Sequence, residues 1–238
     1  MTTEHVVIVG GSSGMGLALA GAVLAEGADV TVASRSAERL EEAARSLGSS
    51  PRLRTVQADI TREDDVARLF KEPVDHVVTT AVDATGAYGP VAELDLSTAR
   101  GVVEAKLIGA LAVAKYAAPV IRAGGSITFT SGVASERPAR GGTVIAAANG
   151  GLDALVRGLA MDLAPIRVNA ISPGWVDTPM WEAIAGDGKA AALAAKAEAL
   201  PVGRVGRVED IAQATLALMR NGYVTGTVLH ADGGHRLV

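Results

Sequence analysis

The chain has 238 residues, enough for one large domain, and its net charge of −4 with no Lys/Arg-dense face argues against a nucleic-acid partner. It contains no cysteine, which excludes disulfides, thiolate metal sites and thiol nucleophiles, and we predict no metal site. The start of the chain lacks the cationic region of a signal peptide, and its apolar run is too short to span a bilayer. We therefore expect a cytoplasmic protein with no membrane partner.

Strand and helix patterns alternate along the chain. Apolar and β-branched runs predict strands over residues 6–9, 29–33, 53–57, 74–80, 126–130, 166–171 and 227–230. Helical patterns are predicted over residues 17–26, 37–47, 63–71, 97–122, 143–164 and 189–200. This alternation indicates an α/β fold with a parallel sheet covered on both faces, in a single domain over residues 1–238.

The junction of the first strand and the first helix reads Gly10-Gly11-Ser12-Ser13-Gly14-Met15-Gly16. Glycines allow a tight turn and a close approach by a phosphate-bearing ligand, whose charge is favoured at a helix N-terminus. Because this turn opens an alternating strand and helix chain, it indicates a dinucleotide site.

This turn resembles the glycine signature of the short-chain dehydrogenase/reductase family, with Gly10 where threonine is usual. Further matches follow in the family's order at Asp59-Ile60 and at residues 75–78, 167–174 and 225–234, so the resemblance covers essentially the whole chain. It implies a Rossmann-type, doubly wound parallel sheet of about seven strands with helices on both faces. It also implies a nicotinamide dinucleotide and, usually, a dimer or tetramer built on the two long helices.

The prediction of the cofactor combines this resemblance with the residues after the second strand, where Ser34-Arg35 stands in place of the usual acidic residue. An acid there would bind the adenosine ribose and repel a 2′-phosphate, whereas a guanidinium offers a planar fork of donors, so NADP(H) is favoured. The alternative is that Arg35 only solvates a helix start. The candidate cofactor-binding residues are Gly10, Ser12, Ser13, Gly14, Met15, Gly16, Ser34, Arg35, Asp59, Ile60, Thr80, Ala81, Pro173, Gly174, Val176 and Thr178.

Three of these contacts have specific expectations. Asp59 would lie under the adenine, or else it caps the helix that follows. By resemblance, the Val176 backbone meets the nicotinamide carboxamide and Thr178 meets the pyrophosphate. Val82, in Thr79-Thr80-Ala81-Val82, stands where the family usually has glycine and would narrow the space for the cofactor.

The catalytic set that the resemblance implies is absent in the register fixed by Gly151-Leu152. Ile145 takes the tyrosine position, Asn149 the lysine position, Gly132 the serine position and Lys106 the asparagine position. The asparagine and lysine thus look exchanged between two helices, although independent drift would give the same pattern. We take Lys106, Ser131 and Asn149 as candidate catalytic residues, because Ser131 is one residue from the expected serine. Tyr88 is a further candidate proton donor.

Loops over residues 83–90, 133–142 and 175–185 are expected to border a small-molecule substrate. Trp175, Met180 and Trp181 form either a lid or ordinary packing, and Arg137 and Arg140 either meet an anionic substrate or are simply solvated. The four histidines are interpreted as structural.

The sequence therefore predicts an NADP(H)-binding oxidoreductase acting on a small carbonyl or alcohol through an atypical active site. Two alternatives stay open: a catalytically silent NADP(H)-binding interaction subunit, and a non-redox enzyme that uses the same pocket. The stretch over residues 143–152 carries almost no charge, which predicts burial against a partner subunit and hence a homo-oligomer, a dimer or tetramer.

Overall fold

A single seven-stranded parallel sheet organises the molecule, with strand order β3-β2-β1-β4-β5-β6-β7. The computed structural model describes residues 3–81, 84 and 86–238. The strands are β1 His5–Val9, β2 Asp29–Ser34, β3 Leu53–Gln57, β4 Val74–Thr79, β5 Ile121–Thr130, β6 Arg167–Pro173 and β7 Val228–Ala231. The predicted seven-stranded, Rossmann-type sheet is confirmed. The order reverses between β1 and β4, so the carboxyl ends of these two strands flank the crevice where such sheets bind ligands.

Helices cover both faces of the sheet, as predicted. They are α1 Gly14–Ala25, α2 Ala37–Ser46, α3 Glu63–Leu69, α4 Leu96–Val103, α5 Gly109–Ala117, α6 Thr143–Asp162, α7 Met180–Ala185, α8 Lys189–Ala199 and α9 Val208–Arg220. Alternate residues of β1 point to opposite faces: Val6 and Ile8 pack against α1, α2 and α9, whereas Val7 and Val9 pack against α3, α5 and α6.

The predicted helix over residues 97–122 is wrong in its last part and interrupted in its middle. Pro119 lacks an amide hydrogen and cannot continue a helix, so α5 gives way to a short 3-10 turn, and β5 begins at Ile121. Between α4 and α5 the chain makes a π-helical turn over Glu104–Ile108. This turn carries Lys106 and sets the direction of its side chain.

Helix α9 has no counterpart among the predicted elements. Its buried residues recur with helical spacing, at Ile211, Ala212, Thr215, Leu218 and Met219, so the signal was present in the sequence and was overlooked. Helix α1 starts at Gly14 rather than at residue 17, which brings its first turn up to the glycine junction.

Helix α6 is the one helix among the described residues that is long and apolar enough to cross a membrane. It packs on the sheet instead, since Leu152, Val156 and Leu159 belong to the main core cluster. The apolar residues on the face of α6 that contacts the sheet are therefore explained by their place in the core.

Candidate functional site

The glycine turn between β1 and α1 is shaped by close contact with the end of β4. Gly10 has φ +91°, and a Cβ at this position would lie 2.5 Å from the Ala81 nitrogen. A Cβ on Gly16 would lie 2.5 Å from Thr80 Oγ1, which donates a hydrogen bond to the Gly10 carbonyl at 3.0 Å. These two glycines are therefore required by packing as well as by any ligand.

The N-terminus of α1 is open toward the crevice. The Ser13 side chain makes no capping hydrogen bond, and the first turn of α1 contains no acidic residue. A Cβ on Gly14 would lie 3.6 Å from the Thr178 methyl group, and Thr178 Oγ1 is buried without a hydrogen-bond partner among the described residues. Uncapped backbone donors beside an unsatisfied hydroxyl fit the pyrophosphate of a dinucleotide.

The far end of the crevice is a polar cavity of about 300 Å³, lined by Arg35, Gln57, Ala58, Asp59, Arg62, Asp65 and Arg68. The Ser12 hydroxyl donates to the Ser34 hydroxyl at 2.9 Å, which ties the glycine turn to the end of β2. Gln57 Nε2 donates to the Arg35 carbonyl at 2.9 Å and so fixes the backbone at the arginine. Arg35 therefore lies where the sequence predicts a 2′-phosphate contact.

Asp59 does not cap α3, whose N-cap residue is Arg62; its contact with an adenine stays a prediction. Its carboxylate accepts hydrogen bonds from the Thr61 amide at 2.9 Å and the Thr61 hydroxyl at 2.8 Å, which forms the turn before α3. The same residue lines the cavity beside Arg35. Arg62 and Arg68 are not among the residues predicted to bind the cofactor. Each lies three residues from Asp65, a spacing that brings side chains together on a helix, and Arg68 pairs with Asp65 at 2.6 Å.

The remaining predicted cofactor residues also lie at the carboxyl ends of strands. The side chains of Met15 and Ile60 pack into hydrophobic clusters, so only their backbones are available to a ligand. Pro173 ends β6, and a Cβ on Gly174 would lie 2.7 Å from the Asp232 carbonyl oxygen. Val176 forms a bridge with Gly206. Val82 and part of the predicted 83–90 loop lie outside the described residues.

Lys106, Ser131 and Asn149 come together at the end of β5, as the sequence analysis expected. Lys106 Nζ donates to Asn149 Oδ1 at 2.5 Å and to the carbonyls of Thr130 and Ser131, each at 3.1 Å. An ammonium has three N–H donors, so these three acceptors use all of them. The Lys106 side chain is 7% exposed.

Burial lowers the pKa of Lys106 to about 8, and the nearby charge of Asp153 opposes that shift. Asp153 lies one turn after Asn149 on α6, and its buried Oδ1 has no hydrogen-bond partner among the described residues. This carboxylate is not among the predicted site residues. The sequence feature that indicates it is the spacing of four residues between Asn149 and Asp153, which places both side chains on one face of the helix.

Gly132 accommodates the amide of Asn149. Asn149 Nδ2 donates to the Gly132 carbonyl at 3.3 Å, and a Cβ on Gly132 would lie 2.8 Å from that nitrogen. The Ser131 hydroxyl is 3.4 Å from the Asn149 carbonyl, a long hydrogen bond. A serine side chain at position 132 would therefore require the Asn149 amide to move.

Ile145 occupies an apolar cluster with Ala87, Val102 and Ala148. The same cluster brings the loop that carries Tyr88 to the start of α6, where the Gly89 amide donates to the Gly141 carbonyl at 2.9 Å. Tyr88 is 48% exposed and its pKa is raised by burial, so it stays a phenol at neutral pH. The predicted neighbourhood of this tyrosine and the site is thus present.

Trp175 and Trp181 stack with ring centroids 4.1 Å apart. Trp181 Nε1 donates to the Val176 carbonyl at 2.8 Å, so the pair is fixed to the end of β6. Met180, grouped with them in the sequence analysis, is an exposed residue. Among the described residues, no group of histidine, aspartate or glutamate side chains could hold a metal ion.

Comparisons with known proteins match the chain along nearly its whole length. A family model described as enoyl-(acyl carrier protein) reductase matches residues 9–236. The short-chain dehydrogenase/reductase ATR9 of Stachybotrys chlorohalonatus is 37% identical, with 97% of this chain and 96% of that protein covered.

Two solved structures show the same fold. The MalC reductase/Diels-Alderase of Malbranchea aurantiaca has a TM-score of 0.92 and 31% identity, covering 99% of this chain and 97% of that one. A small-chain dehydrogenase in complex with NADPH has a TM-score of 0.87 and 36% identity, with both chains covered completely.

Proposed function

Because this chain belongs to the short-chain dehydrogenase/reductase family, a family of oxidoreductases that bind nicotinamide cofactors, we propose that it uses NADP(H) to interconvert a small carbonyl compound and its alcohol. The observation that carries the proposal is the fit of the crevice to a dinucleotide. The first turn of α1 is uncapped and lies beside the unsatisfied Thr178 hydroxyl. The NADPH complex of a 36% identical structural relative supports the same choice of ligand.

The preference for a 2′-phosphate rests on the arginines around the cavity after β2. The cavity is lined by Arg35, Arg62 and Arg68. Of its two carboxylates, Asp65 accepts a hydrogen bond from Arg68 and Asp59 accepts one from the Thr61 amide. A phosphate there gains charge-assisted hydrogen bonds from guanidinium groups.

When bound, the nicotinamide supplies or accepts the hydride. The protein's own residues orient the reactants and set the charge around them. Lys106 acts as a positioning residue, because its three donors hold the end of β5 and the Asn149 amide in place. Its positive charge stabilises a developing alkoxide through space. Ile145 has no proton to give, so we assign protonation of the alkoxide to water.

A non-redox reaction in the same pocket is the second candidate function. Two observations favour it: Ile145 lies in an apolar environment, and the described contacts of Lys106 use all three of its N–H donors. A reaction that needs only the orientation of its substrate requires no proton donor at either position. The structural relative MalC is a reductase/Diels-Alderase. Conversion of a substrate without loss of NADPH absorbance would identify this second candidate, and loss that depends on a carbonyl substrate would identify the first.

Cofactor choice is tested by titrating NADPH and NADH while following nicotinamide fluorescence. We expect NADPH to bind more tightly, with Arg35→Ala removing about 1.5–3 kcal/mol of that preference, the usual value of a hydrogen bond to a charged group. Arg39→Ala is the matched control, because Arg39 is exposed on α2 and does not line the cavity. Equal dissociation constants for the two cofactors in the unmodified protein would refute the preference.

A further inference from the structure

Four chain segments meet above the carboxyl ends of β6 and β7. The loop after β6 carries Trp175, α8 carries Lys196, the turn after β5 carries Arg137, and the C-terminal turn carries His235. A Cβ on Gly234 would lie 2.6 Å from Pro201 Cγ, so the C-terminal turn packs directly on the residues that follow α8. This places the group on the substrate side of the sheet.

Lys196 is held at this place by an aromatic side chain. Its Nζ lies 5.6 Å from the centroid of Trp175, which is itself stacked on Trp181. Burial lowers the pKa of Lys196, and the positive charge of Arg137 lowers it further. The two cations are therefore close enough to repel each other.

The neighbouring carboxylates do not neutralise these cations. Glu136 pairs with His230 at 3.0 Å, and Asp232 pairs with Arg236 at 3.1 Å while also accepting from the amides of Gly234 and Arg236. Neither Arg137 nor Lys196 forms an ion pair within the described part of the chain. Three cations, Arg137, Lys196 and Arg236, face two carboxylates, Glu136 and Asp232, so a net positive charge remains at this point.

His235 completes the group. It is 8% exposed, and its buried Nδ1 has no hydrogen-bond partner among the described residues. Burial lowers its pKa, and Lys196 and Arg137 lower it further against the opposing charge of Asp232. At neutral pH it is an uncharged imidazole beside two cations.

We propose that Arg137, Lys196 and His235 form a subsite for an anionic group of the substrate, a carboxylate or a phosphate. An anion placed between the guanidinium and the ammonium removes their repulsion and receives charge-assisted hydrogen bonds. The inference rests on the proposed function, because it gives the substrate of that site a negative charge. Arg137 and Arg140 are both exposed residues of the same loop, and Arg137 is the one whose charge lowers the pKa of Lys196 and of His235.

The chain itself supplies the reporter for a test. It contains two tryptophans, both in this group, so intrinsic tryptophan fluorescence follows the subsite directly. The probes are benzoate, phenyl phosphate and uncharged benzamide, titrated into the full-length protein. We expect a saturable change with at least one of the two anions and none with benzamide; the tighter anion identifies the group as a carboxylate or a phosphate.

Variants assign the effect to the named residues. Arg137→Gln and Lys196→Met should each weaken anion binding about tenfold or more, whereas Arg140→Gln, which removes the same charge from the same loop, should change it by less than about twofold. A benzamide response equal to that of benzoate, no saturable response to either anion, or equal losses in Arg137→Gln and Arg140→Gln would overturn the proposal. A parallel NADPH titration separates the two hypotheses, since anion binding without NADPH binding refutes the proposed function alone.

Discussion

At the scale of single residues, Asn149 links Lys106 to Gly132. Lys106 needs an acceptor, and Asn149 provides one with Oδ1. The Asn149 amide nitrogen then needs the space and the carbonyl that Gly132 offers. Asn149 contacts both Lys106 and Gly132, so we propose that the three positions form one coupled unit.

This coupling predicts the outcome of a double-mutant cycle. Gly132→Ser should destabilise the protein by about 1–3 kcal/mol, because the new side chain displaces a buried amide that Lys106 and the Gly132 carbonyl hold in place. In an Asn149→Ala background the same substitution should cost much less, since the obstructing nitrogen is gone. Urea unfolding of the four proteins measures the coupling, and additive losses would contradict it.

Lys106 also predicts a pH dependence of catalysis. Its pKa of about 8 lies below the ordinary value, so the ammonium is charged below pH 8 and neutral above it. If the charge stabilises an alkoxide, kcat should fall as pH rises through about 8. The decrease of kcat above pH 8 should be absent in Lys106→Met, whose kcat should be low and should not vary with pH in this range. An unchanged limb in that variant would assign it to another group.

At the scale of elements, buried polar contacts join β4 to β5 and β6 to α9 at the amino edge of the sheet, opposite the candidate site. His76 on β4 contacts the Ser126 hydroxyl on β5 at 2.7 Å through Nδ1 and the Glu4 carboxylate at 3.3 Å through Nε2. Arg167 on β6 donates to the carbonyls of Leu218 at 2.7 Å and Met219 at 2.5 Å. A buried guanidinium thus satisfies the last turn of α9 and anchors that helix to the sheet.

His76 makes this junction sensitive to acid. Burial, aided by the charge of Arg167, lowers its pKa from 6.5 to about 4, so at neutral pH it is uncharged and Nε2–H donates to Glu4. A depressed folded-state pKa means that the unfolded chain binds the extra proton first. The contribution of the uncharged His76 to the free energy of unfolding is therefore present above pH 6.5 and is lost as pH falls toward 4.

We expect His76 to account for roughly 2–4 kcal/mol of the acid-dependent loss of stability between those pH values. His76→Gln cannot acquire the charge, so its free energy of unfolding should vary less with pH over the same range. Urea denaturation at several pH values measures the difference. Parallel curves for the two proteins would assign the acid sensitivity to other groups.

At the scale of the whole molecule, α4, α5 and α6 leave an apolar surface. Ile108 and Leu111 are half exposed, Met161 is exposed, and Gly150 and Gly158 of α6 would meet nothing with an added Cβ. The core explains only one side of α6. The outer side supports the homo-oligomer that the sequence analysis proposes.

The assembly prediction is tested by sedimentation. The unmodified protein should sediment as a dimer or tetramer at micromolar concentration, whereas Leu111→Glu should shift it toward the monomer by placing a charge in the contact. Unfolding measurements on the variant serve as the control for misfolding. A monomeric unmodified protein would refute this interface.

Local patterns were sufficient for most of the fold. The strands, the glycine turn and Arg35 at the end of β2 were all predicted from short windows, because a parallel sheet brings the ends of its strands to one edge. The family register indicates that lysine and asparagine are exchanged between two helices. It does not identify which two carbonyls complete the bonding of Lys106, because their direction is set by tertiary packing.

The sequence indicates Arg137 as a contact for an anionic substrate, but it does not indicate the partners Lys196 and His235. Arg137, Lys196 and His235 come from distant segments with no shared spacing, and only the packing of the C-terminal turn on Pro201 brings them together. His235 is interpreted from the sequence as structural because it is not placed at the crevice formed by the carboxyl ends of the strands. No periodicity carries that information.

The strand order has a consequence for synthesis on the ribosome. After β4 joins β1, the strands β5, β6 and β7 each add to the edge formed by the strand made just before, so the sheet grows in the order in which the chain emerges. Each pairing therefore finds its partner already translated. The turn with His235 follows β7 and is made after all seven strands. A nascent chain can thus pair its strands before that turn, and with it the proposed anion subsite, has been made.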